Sequence, residues 1–407
     1  MTYSNAKTTG ESLPRRKPPK MQGLSLNGFW NDQRFRNFAA QAIVIALVIG
    51  FFVYIFGNAQ RALSDQGIKT GFGFLMDSAG FAIGESPIPF SASDTFLRAY
   101  GVGILNTLKV SFAAIVLASI IGVLLGVARL SRNVMLNRFA SVYVEVFRNT
   151  PQLLQIVFWY MLAVQLPGPK QAFSLDGIAF LSNRGLAIPG PGEGSGFGFA
   201  LIGLVIAAGL VVLLRRHLEK RLRQTGQKFN GLPLSIAIMV IVPAVIWTVF
   251  GTPSQIEIPA LRGFNIRGGL QLSPEFLALF LGLSLYIAAF IAEIVRAGIA
   301  SVNQGQIEAA TAMGIKNSDV LWRVVLPQAM RVIVPPSTAQ YVSLLKNSSL
   351  GVMIGYPELF NLNNTILTAS GNTVEAIIIM MAIYLSLTTT IAVIMNWYNR
   401  SVQLKER

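Results

Sequence analysis

The 407-residue chain alternates long apolar runs with shorter polar segments. Phe38–Gly57 carries no charge over twenty positions, enough at about 1.5 Å per residue to cross the roughly 30 Å hydrocarbon core of a bilayer. Seven more apolar runs follow. They are Gly101–Ala128, a run that leaves Tyr143–Tyr160 and ends near Leu166, Phe199–Leu214, Leu232–Phe250, Phe276–Ala292, Val332–Gly355 and Ala376–Trp397. The pattern predicts an all-α polytopic membrane protein with about eight transmembrane helices. Phe38–Gly57 is too long, and the tail ahead of it too extended, for a cleaved signal peptide. Ala59–Tyr100 mixes aromatics, glycines and charges without a spanning run, and Gly84–Phe90 (GESPIPF) reads as a surface turn or interfacial segment. Leu166–Gly198, rich in Gly and Pro, and Gly251–Ser273 read as loops on the external side.

One polar, amphipathic stretch, Glu293–Pro336, lies wedged between two of these runs. Gln304–Met313 has good helix formers, with Ala309, Ala310 and Ala312 offering a low-relief face. Gly314 falls where a helix end takes a left-handed residue. Ser318 or Asn317 is the expected cap of a second helix, Asp319–Val325, with Asp319 near its positive end and Pro327 as its stop. The next span would then be entered through Pro335-Pro336. The expected divisions are a basic tail (1–37), a first span with an external segment (38–100), a transmembrane domain (101–397) and a basic tail (398–407).

Composition agrees with the span pattern. Hydrophobic residues make up 53% of the chain and charged ones 13%, about half the usual soluble fraction. The net charge of +15 need not mean nucleic acid. With the N-terminus in the cytosol, lysine and arginine divide 24 inside to 9 outside, accounting for all 33, as the positive-inside rule requires. Both termini and Glu293–Pro336 are then cytosolic. The tail around Arg15-Arg16-Lys17 reads as disordered, with a lipid-binding basic cluster as the alternative. Cysteine is absent and His217 is the single histidine, so no disulfide, thiol chemistry, metal site or catalytic constellation is expected. No Gly-Lys dipeptide occurs, so the chain has no GxxxxGK[ST] nucleotide cradle.

Glu308-Ala309-Ala310, Gly314 and Leu326-Pro327 resemble the EAA signature of the permease subunits of bacterial ABC importers. That resemblance implies a cytosolic coupling loop, about residues 296–331, that docks into a cleft of an ATP-binding subunit. There Glu308 would supply charge and hydrogen bonds, Ala309 and Ala310 close approach, and Gly314 the turn. Asn106-Thr107-Leu108 is similar to the start of the conserved core in permeases for polar amino acids. Tyr143–Tyr160 resembles the family's YxEVFRxTPxLxQ element, with Phe147-Arg148, Thr150-Pro151 and Gln155 matching. Leu344–Gly351 resembles its LKxSSL element. Phe72–Thr107 is similar to the longer permeases of general L-amino-acid importers, which add an N-terminal span and a hairpin, here about 199–250, to a type I permease core.

The resemblance implies a bacterial inner-membrane subunit paired with a second homologous permease in a heterodimer. Two ATP-binding cassette subunits, which would hold ATP-Mg, and a periplasmic amino-acid-binding protein complete the assembly. This chain itself would bind no cofactor.

Polar groups inside spans are expensive and therefore functional candidates. Lys346, Asn347, Ser348 and Ser349, with Arg148 and Thr150, are candidates for the substrate path. Helix–helix contact through Ser and Asn, with Lys346 snorkelling to an interface, is the equally weighted alternative. Glu145 is a candidate partner for Arg148, Glu293 pairs locally with Arg296, and Glu375 marks the external mouth of the last span. An ion-coupled secondary transporter would need acidic groups at mid-depth, which the spans do not offer. A non-transporting scaffold has only the basic tail in its favour.

Overall fold

A computed structural model describes residues 33–65, 71–192, 197–226, 231–251 and 255–402. Nearly all of the expected N-terminal tail and the last residues of the C-terminal one lie outside these. The chain forms two compact units, Met1–Thr70 and Gly71–Arg407. The first contributes α1 (Gln33–Asp65), whose apolar window Arg36–Asn58 is long enough to cross a bilayer.

In the second unit, α2 (Phe96–Ala128) is followed by α3 (Val134–Asn149) and α4 (Gln152–Val164). After a β-rich stretch come α5 (Phe197–Thr225) and α6 (Leu232–Phe250), then more strands and α7 (Pro274–Ala300). The short α8 (Gln304–Ala312) and α9 (Asn317–Val320) precede α10 (Leu326–Asn347), α11 (Leu359–Ser370) and α12 (Thr373–Val402). Among the described residues, α1, α2, α6, α7 and α12 contain windows long and apolar enough to span, and α4 is a shorter apolar helix. The remaining expected spans, 199–214 and 332–355, fall on α5 and on α10 with the 3-10 turn Ser348–Ile354.

Helix α7 is the axis. It runs parallel to α2: Lys109 lies over the Phe276 ring near one end (4.6 Å to its centre), and Gly126 meets Ala292 and Val295 near the other. A Cβ on Gly126 would stand 2.7 Å from the Ala292 carbonyl oxygen, so the two backbones approach as only glycine allows. Elsewhere on α7, Gly282 receives Ile156 of α4 and Gly298 receives Ile333 of α10. In lipid, which provides little hydrophobic drive between helices, such small-residue contacts let van der Waals packing hold the bundle.

Four expectations change. First, α2 begins at Phe96 rather than Gly101, because the Thr95 side chain caps it by accepting from the Arg98 N–H. Second, Tyr143–Tyr160 is two helices broken at Thr150-Pro151, since a residue before proline is pushed out of the α region and Thr150 is extended. Third, Pro327 does not stop a helix. A π-helical turn, Leu321–Val325, runs into α10, with the Leu326 N–H reaching the Leu321 carbonyl and Pro327 in the first turn, where its missing donor is tolerated. Helix α10 then continues through Pro335 and Pro336.

Fourth, the two loops expected on the external side are not irregular. Strands β1 (Phe173–Leu175), β2 (Ala179–Ser182), β3 (Gly185–Ile188) and, beyond α5 and α6, β8 (Leu270–Leu272) form one antiparallel sheet in the order β1-β2-β3-β8, with Leu186 opposite Leu272. Strand β4 (Gly190–Pro191) pairs with β5 (Ile256–Glu257), and β6 (Ala260–Arg262) with β7 (Asn265–Arg267). The sheet caps the start of α7, and α8 and α9 follow its other end. At 27 residues, α7 separates the two by about 40 Å.

Candidate functional site

The predicted coupling segment is a built element. Asn303 caps α8, its side chain accepting from the Gly305 N–H at 2.8 Å. Gly314 turns the chain at φ +76°, and its N–H returns to the Thr311 carbonyl at 2.9 Å. The second helix starts at Asn317, after Lys316, and neither Ser318 nor Asn317 acts as its side-chain cap. Asp319 does sit in its first turn and pairs with Arg323 at 3.5 Å. Gln328 binds the segment to α10, donating to Gln306 Oε1 at 2.5 Å and to the Val324 carbonyl at 2.9 Å.

The predicted residues divide by exposure. Glu308, Ala309, Gly314 and Pro327 are exposed, and Leu326 is half-buried. Ala310, 3% exposed, is turned inward and packs in one cluster with Val302, Val320, Val325 and Ala329. Two side chains missed in the sequence dominate the outer face: Met313, 73% exposed, and Trp322, 67% exposed. A tryptophan and a methionine in a polar inter-span segment were the available signal, since large apolar groups left in water mark contact surfaces.

Just above the coupling segment, Glu293 of α7 gathers cations from three helices. Arg129, at the end of α2, donates to Glu293 Oε2; Arg296 Nη2 is 2.5 Å from Oε1, and Arg148 Nη1 is 4.0 Å from Oε2. Arg148 therefore faces Glu293, not Glu145, and its guanidinium lies 5.2 Å from the centre of the Phe290 ring. The local Glu293–Arg296 pair is present, but as one part of a larger cluster.

The substrate-path candidates come from two motifs that meet. Asn347 Nδ2 donates to Gln152 Oε1 at 2.7 Å, joining the end of α10 to the first turn of α4, next to Thr150-Pro151. Gln155 donates to the carbonyls of Phe147 and Thr150, closing the break between α3 and α4. Lys346 is exposed and Ser349 half-buried, its hydroxyl donating to the Lys346 carbonyl at 2.8 Å. Ser348 is fully buried and donates to the Leu345 carbonyl at 2.7 Å. The Thr150 hydroxyl donates to the Val146 carbonyl, and both Thr150 and Arg148 are exposed.

At the far end of α7, a carboxylate anchors the turn into α11. Glu358, wholly buried, accepts from the N–H groups of Phe360 and Asn361 and from the Tyr384 hydroxyl, each at 2.8 Å. Burial pushes its carboxyl up to about 7, against the opposing pull of those donors. Glu375, expected at the mouth of the last span, is buried and accepts from the Gly71 N–H at 2.6 Å.

Apolar helices packed through glycines, with an exposed polar helical pair inserted between two of them, define a helical membrane protein. Residues 115–404 match the family described as binding-protein-dependent transport system inner membrane component. The general L-amino acid transport system permease protein AapQ of Rhizobium johnstonii is 43% identical over 95% of this chain and 96% of its own. The putative amino-acid ABC transporter permease protein YhdX of Escherichia coli is 44% identical, over 90% and 94%. The glutamate/glutamine/aspartate/asparagine transport system permease protein BztB of Rhodobacter capsulatus is 35% identical, over 96% and 99%. The chain belongs to the family of binding-protein-dependent transport system inner membrane components.

Proposed function

We propose that this chain is the permease subunit of an ATP-driven importer that moves L-amino acids across a bacterial inner membrane, with both termini in the cytosol. The observation that carries the reading is the coupling segment. It presents Glu308, Ala309, Met313 and Trp322 outward while Ala310 and Val320 root it in the bundle core. A surface both exposed and rigidly rooted can accept a push and pass it to α7 and α10.

Two ATP-binding subunits, holding ATP-Mg, would supply that push, since the chain has no nucleotide cradle of its own and hydrolysis falls to them. A second homologous permease would complete the pathway as a heterodimer, and a periplasmic binding protein would deliver substrate. L-amino acids as cargo rest on full-length likeness to AapQ, YhdX and BztB. Arg148, Thr150, Lys346, Asn347, Ser348 and Ser349 stay as path candidates. Support for them is the Asn347–Gln152 bond, which brings their two motifs together.

The test is purification from membranes with and without Glu308→Arg, followed by amino-acid-stimulated ATPase measurement. Wild type is expected to bring down an ATP-binding protein and the variant to lose it or its stimulation. A variant that retains both overturns the coupling role, and uptake that survives ATP depletion overturns the importer reading.

A further inference from the structure

At the sheet end of α7, two cavities of about 360 and 380 Å³ share a wall made by Gly84, Glu85, Ser273 and Glu275. The wall is built from distant parts of the chain. Glu85 comes from the segment before α2, and Asn106 of α2 holds that segment by donating to the Glu85 carbonyl at 2.9 Å. Glu275 stands in the first turn of α7. Arg184, on the β2–β3 turn, lines the first cavity and makes no ion pair among the described residues.

Glu85 is held in an unusual way. Its Oε1 receives Lys109 Nζ at 2.5 Å, while its Oε2 is buried without a hydrogen-bond partner. Lys109 lies inside the span of α2, where a charge is costly and needs a reason. The lysine behind the carboxylate holds Glu85 in place through one oxygen and leaves the second for another donor. Glu275 offers a second carboxylate at the same wall, with Arg184 the cation on the cavity's lining.

We propose that this cavity is an acceptor site for a zwitterionic amino acid, the ammonium held by Glu85 and Glu275 and the carboxylate by Arg184. The inference rests on the importer reading and adds a site to it. Both charges of the ligand meet opposite charges, so neither is stripped of water uncompensated. The volume of each cavity falls in the range typical of small-ligand sites. The second cavity reaches Gly355, the residue that ends the Ser348–Ile354 turn. Glu85 and Lys109 precede the 115–404 family match.

The test uses the purified complex with its ATP-binding partner, without any binding protein, and labelled L-glutamine as probe in equilibrium dialysis. Saturable binding is expected, and Glu85→Gln, Glu275→Gln and Arg184→Gln should each weaken it at least tenfold. Competition by propylamine or propionate alone, each carrying one of the two charges, should be at least tenfold weaker than by unlabelled L-glutamine. Co-elution with the partner on size exclusion checks that each variant is folded; Glu275→Gln and Arg184→Gln also leave the Lys109–Glu85 pair intact. No saturable binding by wild type, or unchanged binding by folded variants, overturns the site. Uptake of the same probe by wild-type proteoliposomes, with binding protein and ATP, is measured in parallel. Uptake without binding sinks the site alone, whereas absence of uptake sinks the importer reading with it.

Discussion

Glu293 shows what one residue does when three helices converge on it. Its partners Arg129, Arg148 and Arg296 come from α2, α3 and α7 and are between 16% and 40% exposed, so the cluster is neither a loose surface pair nor fully buried. Removing the carboxylate leaves three guanidiniums facing one another. Glu293→Gln is expected to cost about 1–3 kcal/mol, between the values for exposed and buried pairs. Thermal unfolding in detergent would measure it, and the double variant Glu293→Gln with Arg129→Gln should be less destabilised than the two single losses combined. Additive losses would mean that the two groups do not interact. The sequence revealed only the Arg296 part of this cluster, because a three-residue helical spacing is local information. Arg129 and Arg148 arrive through packing, and the nearer carboxylate, Glu145, was the wrong partner for that reason. Lys109 and Glu85 were hidden in the same way.

At the scale of the element, the coupling segment was the most legible part of the chain, since caps and glycine turns are written in neighbouring residues. Its helix, its Gly314 turn and the placement of Asp319 all follow local rules. What failed were the Ser318 or Asn317 cap, since the helix starts after Lys316 without one, and Pro327 as a stop. A proline that ends one helix is equally suited to the first turn of another, and the π turn joins the two. That turn sets which way Trp322 points. Pro327→Ala restores a donor and allows ordinary α register, which would rotate the preceding residues by roughly 100° for the one residue taken up. The absence of native cysteine makes a clean assay possible. A Trp322→Cys probe is expected to cross-link to the ATP-binding subunit and to lose most of that cross-link when Pro327→Ala is added. An unchanged yield would show that the turn does not aim this face. Gly314 is simpler: at φ +76°, alanine should cost about 1 kcal/mol and valine more, reducing recovery of the ATP-binding partner in that order.

Across the whole molecule, hydropathy located the helices but gave no sign of the sheet. Strands of two to four residues carry too little periodicity to read, and β3 finds β8 only across the intervening hairpin. That pairing explains how the hairpin can be an addition to a core. Strands β4 and β5 lie on either side of α5 and α6 and pair with each other, Pro191 opposite Ile256, while the Gly192 N–H reaches the Gln255 carbonyl at 2.9 Å. The chain thus leaves for the hairpin and returns at one point. The helices themselves pack closely together, Gly203 against Pro243. Replacing residues 193–254 with Asn-Gly should close β4 and β5 as a tight hairpin, since two residues of that type suit a type I′ turn. Removing two spans together also preserves the orientation of every later one. The shortened chain is expected to reach the membrane, keep its partner on size exclusion and unfold near the wild-type midpoint. Loss of assembly would mean that α5 and α6 hold the core as well as extend it.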